Sequence, residues 1–343
     1  MARTRRVAVR CDLATATGRL HVVRSLALAE ELALRGVQVL FVADVEADDW
    51  AHMQIAARGL ETVPPVTTAD DYVELVDRLA ADAVVFDAHR LPHEVYTAVR
   101  GTGRPTLAAV DGDLRGAEAD LLLDPNVAAE EVQHRLPRDC TRLAGLEYAP
   151  LRNDVLANRP ISAPVPASVE APRVLVLLDD VDMPDAGAWV VRTLVATGRP
   201  FDVTVVAPEA EAREQVQAVR PAPRQGIAAI APDTRLAERV VRSDAVVAAA
   251  GPSTAELLCL GAAVGLVWVT DADVETYRQL MVQRAVIGLG SVEALGKDPD
   301  AGAEQAARLL SDSRERARLA ESGWRRVDGL GRARVVDALV GLL

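Results

Sequence analysis

Asp12-Leu13-Ala14-Thr15-Ala16-Thr17-Gly18-Arg19-Leu20-His21-Val22-Val23-Arg24 lies between an apolar run, Val7-Ala8-Val9, and a helical pattern from Ser25 to Arg35. A strand, a polar turn and an amphipathic segment in that order open a βαβ unit. In a parallel α/β sheet such a turn lies at the carboxyl edge of the strands, where open sheets bind their ligands. His21 then falls in the first helical turn or so, where unpaired N–H groups and the helix dipole disfavour an imidazolium. A neutral histidine at that edge could take a proton from water. On these residues alone, the other reading of His21 is a partly buried polar position on an amphipathic helix.

The same alternation continues outward from this stretch. Short aliphatic runs at Arg6–Cys11, Val37–Val42, Ala83–Phe86, Thr106–Val110 and Leu121–Leu123 read as strands, and Leu20–Leu34, Tyr72–Ala81 and His93–Arg100 as helices. Asp44, Asp87-Ala88-His89, Asp111-Gly112-Asp113 and Asp124-Pro125-Asn126 each follow a strand directly. From Asn153 to Pro172 the pattern breaks into a Pro/Ala/Ser-rich stretch that favours an extended linker. Beyond it the alternation restarts, with strands at Val174–Leu178, Val203–Val206, Ile227–Ile230, Ala245–Ala249 and Gly265–Val269. Helices fit at Ala186–Ala196, Thr234–Arg242, Ala255–Leu260 and Glu275–Arg284, then at Ala301–Leu310, Ser313–Ser322 and Arg332–Leu342. We therefore expect an N-terminal α/β domain over residues 1–155 and a linker over 156–172. A second α/β domain covers 173–328, and a C-terminal helix in 329–343 packs back toward the first. Two such halves around a linker would make an interdomain cleft, a preferred place for ligand pockets.

Bulk properties narrow the classes. A length of 343 residues fits about two domains at ~150 residues each. Half the residues are apolar and only 3% aromatic, so the cores are aliphatic. A net charge of -12 argues against a surface that tracks nucleic-acid backbone, though not against a pocket for one small phosphorylated ligand. Cys11, Cys140 and Cys259 show no C-x-x-C spacing and read as small buried residues in a reducing compartment. The basic start, Arg3 to Arg6, meets Arg10 and Asp12 too soon for a signal peptide, and no stretch approaches the ~18 uncharged apolar residues of a membrane span. A cytoplasmic, soluble protein is expected.

The second half holds a phosphate-site candidate, Gly251-Pro252-Ser253-Thr254-Ala255-Glu256, between a strand and a helix. Backbone N–H groups and two hydroxyls could meet an anion there, and Glu256 could accept from ribose hydroxyls. An ordinary Ser or Thr N-cap with an acidic first turn fits the same residues. His89 and His93 are four apart, but Pro92 argues against a shared helical face and so against a metal pair. Asp179-Asp180-Val181-Asp182 and Asp271-Ala272-Asp273 read as solvated strand ends rather than cation sites. The P-loop, α/β-hydrolase and dinucleotide fingerprints are all absent.

Taken together these segments resemble a known family, the nucleotide-sugar hydrolases of the pseudaminic acid pathway with the related spore-coat polysaccharide proteins. That family's first loop runs Asp, five residues, Gly-x-Gly-His-x-x-Arg, and Asp12, Gly18, His21 and Arg24 hold its spacing, with Leu20 at the second glycine. Val84-Val85-Phe86-Asp87-Ala88-His89 resembles the family strand ending in Asp-x-Tyr, with His89 at the tyrosine. Ala119–Asn126 and Gly145-Leu146-Glu147-Tyr148-Ala149-Pro150-Leu151-Arg152 are similar to further family segments in the right order.

The resemblance implies a GT-B-like α/β fold, two Rossmann-like parallel-sheet domains facing an interdomain cleft. It implies His21 as the general base, Asp12 and Arg24 as catalytic residues shaping the site, and Gly18, Asp87, His89, Tyr148 and Arg152 on the sugar side. The diphosphate of a UDP-sugar would rest on Gly251, Ser253 and Thr254, with Glu256 at the ribose, and neither a metal nor a cofactor is implied. The partners implied are a small-molecule nucleotide sugar and other enzymes of a sugar pathway. The chain departs from the family at Asp179-Asp180, where two glycines are usual, and at Asp273-Val274 in place of Asn-Gln. A carboxylate ~4 Å from a phosphate costs about 4 kcal/mol at an effective dielectric near 20. The leading expectation is hydrolysis of a nucleotide-activated sugar for a nonulosonic acid or surface glycan. The alternatives are a GT-B glycosyltransferase, in which His21 activates an acceptor hydroxyl, and a catalytically weakened relative acting as a binding or scaffold subunit.

Overall fold

The aliphatic runs become parallel strands in a computed structural model that describes residues 3–13, 18–44, 48–89, 91–165, 170–178 and 183–343, the side chains at 18 and 19 excepted. The expectations resting on Asp179, Asp180, Val181 and Asp182 lie outside the described residues. The chain divides into two compact units, Met1–Asn153 with Gly329–Leu343, and Asp154–Asp328.

In the first unit the strands are β1 (Arg6–Cys11), β2 (Gln38–Val42), β3 (Glu61–Val63), β4 (Ala83–Asp87), β5 (Thr106–Ala109), β6 (Leu121–Asp124) and β7 (Thr141–Ala144). They form one sheet in the order β3-β2-β1-β4-β5-β6-β7, with every described pairing parallel. The helices between them are α1 (Gly18–Leu34), α2 (Asp49–Ala56), α3 (Ala69–Arg78) and α4 (His93–Gly101). The inner strands are buried on both faces, as parallel strands under helices must be. Val7, Val9 and Cys11 pack with Val22, Leu26 and Leu32 on one side, while Ala8, Val84 and Phe86 pack with Tyr72, Leu75 and Val95 on the other. The chain winds β1-β2-β3 one way and then returns to place β4 on the opposite side of β1. The carboxyl ends of β1 and β4 therefore flank a topological switch point.

A short helix, α5 (Asn153–Asn158), opens the second unit. There the strands β8 (Arg173–Leu177), β9 (Phe201–Val206), β10 (Gln225–Ile230), β11 (Ala245–Ala249), β12 (Val264–Trp268) and β13 (Val286–Ser291) lie in the order β10-β9-β8-β11-β12-β13. All described pairs are again parallel, and the switch point lies between β8 and β11. The helices are α6 (Ala186–Ala196), α7 (Ala210–Gln217), α8 (Leu236–Arg242), α9 (Ser253–Cys259), α10 (Asp273–Val282), α11 (Val292–Lys297), α12 (Ala303–Ser311) and α13 (Ser313–Arg326).

Three strands differ from the sequence reading. The strands β3 and β7 are edges whose polar residues break the aliphatic run, and β13 carries Gly288, a poor strand residue. Gly288 is there because Tyr277 of α10 fills the space: a Cβ at 288 would lie 2.1 Å from the tyrosine hydroxyl oxygen. Cys140, beside the β7 edge, is half-buried, while Cys11 and Cys259 are buried; all three are free thiols.

The last helix, α14 (Gly331–Val340), belongs to the first unit and lies against α1. Val335, Val336 and Leu339 join the core of that unit. Arg332, itself buried, pairs with Glu30 at 3.1 Å and Glu31 at 3.2 Å of α1, and Arg35 pairs with Asp337. Close approach depends on Gly331, where an added Cβ would meet the Ala149 carbonyl oxygen at 2.3 Å and its nitrogen at 2.7 Å. Backbone atoms cannot rotate aside. Gly331→Ala is therefore expected to lower the stability of the first unit by about 1–3 kcal/mol, read as a lower urea midpoint. An unchanged midpoint would mean that α14 shifts without cost.

Candidate functional site

On α1, His21, Arg24 and Ser25 are spaced i, i+3, i+4 and so share one face. That face meets the end of β4, where Asp87 is wholly buried. His21 Nδ1 lies 2.5 Å from Asp87 Oδ1. Arg24 grips the same carboxylate with two prongs, Nε to Oδ2 at 2.9 Å and Nη2 to Oδ1 at 2.7 Å, and the Ser25 hydroxyl donates to Oδ2 at 3.2 Å. His21, Arg24 and Asp87 are at most 2% exposed, so the charges of Arg24 and Asp87 stand only because they are paired.

The network reaches across two further strands. Arg24 Nη1 donates to Asp111 Oδ1 at 2.7 Å, just beyond β5. At the end of β6, buried Asp124 accepts from the Gly112 amide at 3.2 Å and from the Asn126 side chain at 2.8 Å. Parallel register sets the carboxyl ends of β4, β5 and β6 side by side, and that alignment brings together acids far apart in sequence.

Electrostatics fix the roles. Burial by itself pushes the Asp87 carboxyl up, but the Arg24 guanidinium and the hydrogen bonds from Arg24 and His21 outweigh it and hold it well below the usual carboxylate range. Burial also pushes Asp111 up, and Arg24 again wins. Asp87 is thus an ionised acceptor, so the proton of a neutral His21 sits on Nδ1 and Nε2 keeps its lone pair. Among the described residues Nε2 has no hydrogen-bond partner. A histidine so arranged can accept a proton from a hydroxyl brought to it.

The remaining expected residues fall as follows. Gly18 opens α1. Asp12 is not bonded to His21 among the described residues: its Oδ2 accepts from the His89 amide at 2.7 Å, its Oδ1 pairs with Arg10 at 2.6 Å, and its own amide donates to the Asp87 carbonyl at 3.2 Å. It ties the end of β1 to the end of β4. His89 is exposed, with its ring centroid 6.4 Å from that of His21 and its Nδ1 3.1 Å from Arg115 Nη1. An arginine can only donate, so His89 carries its proton on Nε2 when neutral, the opposite of His21. His93 turns to the Gly116 carbonyl at 2.8 Å. Tyr148 lies half-buried against the core of the first unit, and Arg152 is half-buried four residues on. The candidate set omits Ser25, Asp111, Asp124 and Asn126. The signal for Ser25 is the i+4 spacing from His21, and for the others it is position directly after a strand.

In the second unit the turn Gly251–Glu256 follows β11 at the switch point. Pro252 holds the N-cap position of α9 with no side-chain cap, unlike an ordinary Ser or Thr cap. Buried Thr254 instead turns its hydroxyl back to accept from the Gly251 amide at 3.3 Å. Nothing lies within 4 Å of where a Cβ at Gly251 would be, so the backbone there is open to approach. Ser253 and Glu256 are half-buried. Asp273 accepts from the Thr270 amide at 2.8 Å, the Thr270 hydroxyl at 3.0 Å and the Val269 amide at 3.3 Å, closing the turn after β12. Among the described residues no cluster of three or more His, Cys, Asp or Glu could hold a metal ion, and no helix is long and apolar enough to cross a membrane.

The fold of the chain is similar to that of solved structures over nearly its whole length. MurG of Acinetobacter baumannii is 13% identical with a TM-score of 0.73, over 99% of this chain and 100% of that one. The fold is GT-B. The spinosyn rhamnosyltransferase SpnG in complex with thymidine diphosphate is 16% identical with a TM-score of 0.65, over 98% of this chain and 100% of that one. The S. aureus MnaA–UDP co-structure is 12% identical with a TM-score of 0.63, over 99% of this chain and 98% of that one. No protein-family model matches the sequence, and neither does any curated protein. These likenesses concern the fold, and function is argued from the site.

Proposed function

We propose that the chain is a glycosyltransferase that moves a sugar from a nucleoside-diphosphate donor to an acceptor hydroxyl, with His21 as general base. The observation that carries this is the buried His21–Asp87 pair at the carboxyl ends of β1 and β4. His21 Nε2 takes the hydroxyl proton as the oxygen forms its bond to the anomeric carbon. The bond from that carbon to the diphosphate oxygen breaks, and the nucleoside diphosphate leaves with the electron pair. Asp87 orients the imidazole and balances the charge it gains. The role of Asp12 is to brace the ends of β1 and β4, and that of Arg24 is to keep Asp87 ionised.

We assign the diphosphate to Gly251, Ser253 and Thr254, with Glu256 toward the ribose. The open backbone at Gly251 and the place of this turn at the switch point support that assignment. The SpnG structure in complex with thymidine diphosphate and the MnaA–UDP co-structure favour a nucleoside diphosphate as the ligand class. Gly18, His89, Tyr148 and Arg152 are assigned to the sugar side.

Hydrolysis is the second reading, with water in place of the acceptor. The Asp12, Gly18, His21 and Arg24 spacing favours it, because it resembles a hydrolase family. Either reading requires nucleotide binding. Calorimetry with UDP and with thymidine diphosphate is expected to give heat for at least one of them, and His21→Ala should leave that heat unchanged. No heat from either at millimolar concentration would exclude both enzyme readings and favour a binding or scaffold role.

A further inference from the structure

Arg24 stands between two carboxylates, and the outer one governs how the inner one is shared. Asp87 Oδ1 receives His21 Nδ1 at 2.5 Å and Arg24 Nη2 at 2.7 Å, while Arg24 Nη2 is only 3.3 Å from His21 Nδ1. The guanidinium and the imidazole thus compete for one oxygen. Asp111 draws the guanidinium the other way, with Oδ1 at 2.7 Å from Nη1 and Oδ2 at 3.2 Å from Nη2. Nε serves Asp87, Nη1 serves Asp111, and Nη2 is within reach of both.

Charge points in the same direction. Two carboxylates and one guanidinium leave a net single negative charge facing the imidazole. With Asp111 neutral, Arg24 would cancel Asp87 outright, and the charge that Nη2 now divides between the two carboxylates would fall on Asp87 Oδ1 alone. Asp111 is itself seated: it forms a backbone bridge with Asp113, and the Asn126 amide lies 3.5 Å from its Oδ1 and 2.8 Å from Asp124 Oδ1.

We propose that Asp111 is a positioning residue for His21. By drawing part of the Arg24 charge away from Asp87 Oδ1, which guanidinium and imidazole share, it leaves that oxygen negative enough to hold the imidazole Nδ1–H, and so keeps His21 in the tautomer whose Nε2 is free to accept a proton. This rests on reading His21 as the base, but it can be tested without any substrate.

Nitrogen-15 NMR of the ligand-free full chain reads the tautomer of each imidazole, and with five histidines the His21 signals are assigned by their loss in His21→Gln. The expected result is His21 as the Nδ1–H form, with Asp111→Asn lowering the ratio of Nδ1–H to Nε2–H about tenfold and Asp111→Glu retaining it. Asp111→Ser, the second uncharged variant, carries the same expectation should the asparagine variant fail to fold. An unchanged ratio in the uncharged variants, or a fall in Asp111→Glu as large as theirs, overturns the proposal. Because the measurement needs neither nucleotide nor turnover, its outcome is separate from that of the transfer reaction.

Discussion

Arg24→Met is expected to destabilise the first unit by about 3–5 kcal/mol, the range for removing one partner of a buried ion pair. Against a total stability of about 5–15 kcal/mol, that loss leaves little margin. The cause is Asp87, which stays fully buried and, among the described residues, keeps only its side-chain bonds from His21 and Ser25. The pH dependence should change sign as well. In the unaltered chain the folded values of Asp87 and Asp111 lie below the unfolded aspartate value of about 3.9. Their stabilisation is therefore present above about pH 4 and lost as the pH falls through the folded values. Without Arg24, burial pushes Asp87 up instead, so the variant should gain stability as the pH falls from 7 toward 5, while the unaltered chain gains none from this pair. Urea midpoints at both pH values read the difference. A variant as stable as the parent, or one with the parent's pH trend, would show that Asp87 is not held by Arg24.

His21→Ala is expected to lower turnover by about 10²–10⁴-fold, the usual contribution of a general base. The loss should fall on kcat. The nucleoside diphosphate of the donor is assigned to residues of the second unit, so KM for the nucleotide sugar should change little. Asp87→Asn should also lower kcat, for another reason: the amide can donate to Nδ1 and so favours the tautomer with the proton on Nε2. Equal loss in kcat and rise in KM for His21→Ala would make it a binding residue instead.

Much of the architecture is legible in the amino-acid order because parallel strands are buried on both faces. Runs such as Val7-Ala8-Val9 and Ala245–Ala249 need no partner to be recognised, and polar residues just after them mark the carboxyl edge. The edges β3 and β7 lack that signal, since one side of an edge strand meets no neighbouring strand. Gly288 hides β13 because its reason for being glycine, the hydroxyl of Tyr277, is supplied by tertiary packing.

The site divides in the same way. His21 and Arg24 are legible as a helical spacing, and Asp87 as a strand end. That Asp87 bonds to His21 is a statement about a contact across 66 residues, and only the register of β1 with β4 makes it. Asp111 is further removed, because its role passes through Arg24. Asp273 is legible as a departure from a family pattern, whereas its bonds to Val269 and Thr270 appear only once the turn after β12 is folded.

Release of nucleoside diphosphate tests the central claim most directly. UDP-N-acetylglucosamine and thymidine-diphosphate sugars are incubated with the chain, with and without a mixture of hydroxyl-bearing acceptors, alongside His21→Ala. The expected result is release that depends on the acceptor and is nearly abolished in His21→Ala. Release that is as fast without acceptor would mean that water is the nucleophile, and release unchanged in His21→Ala would contradict the role of His21 in either reaction.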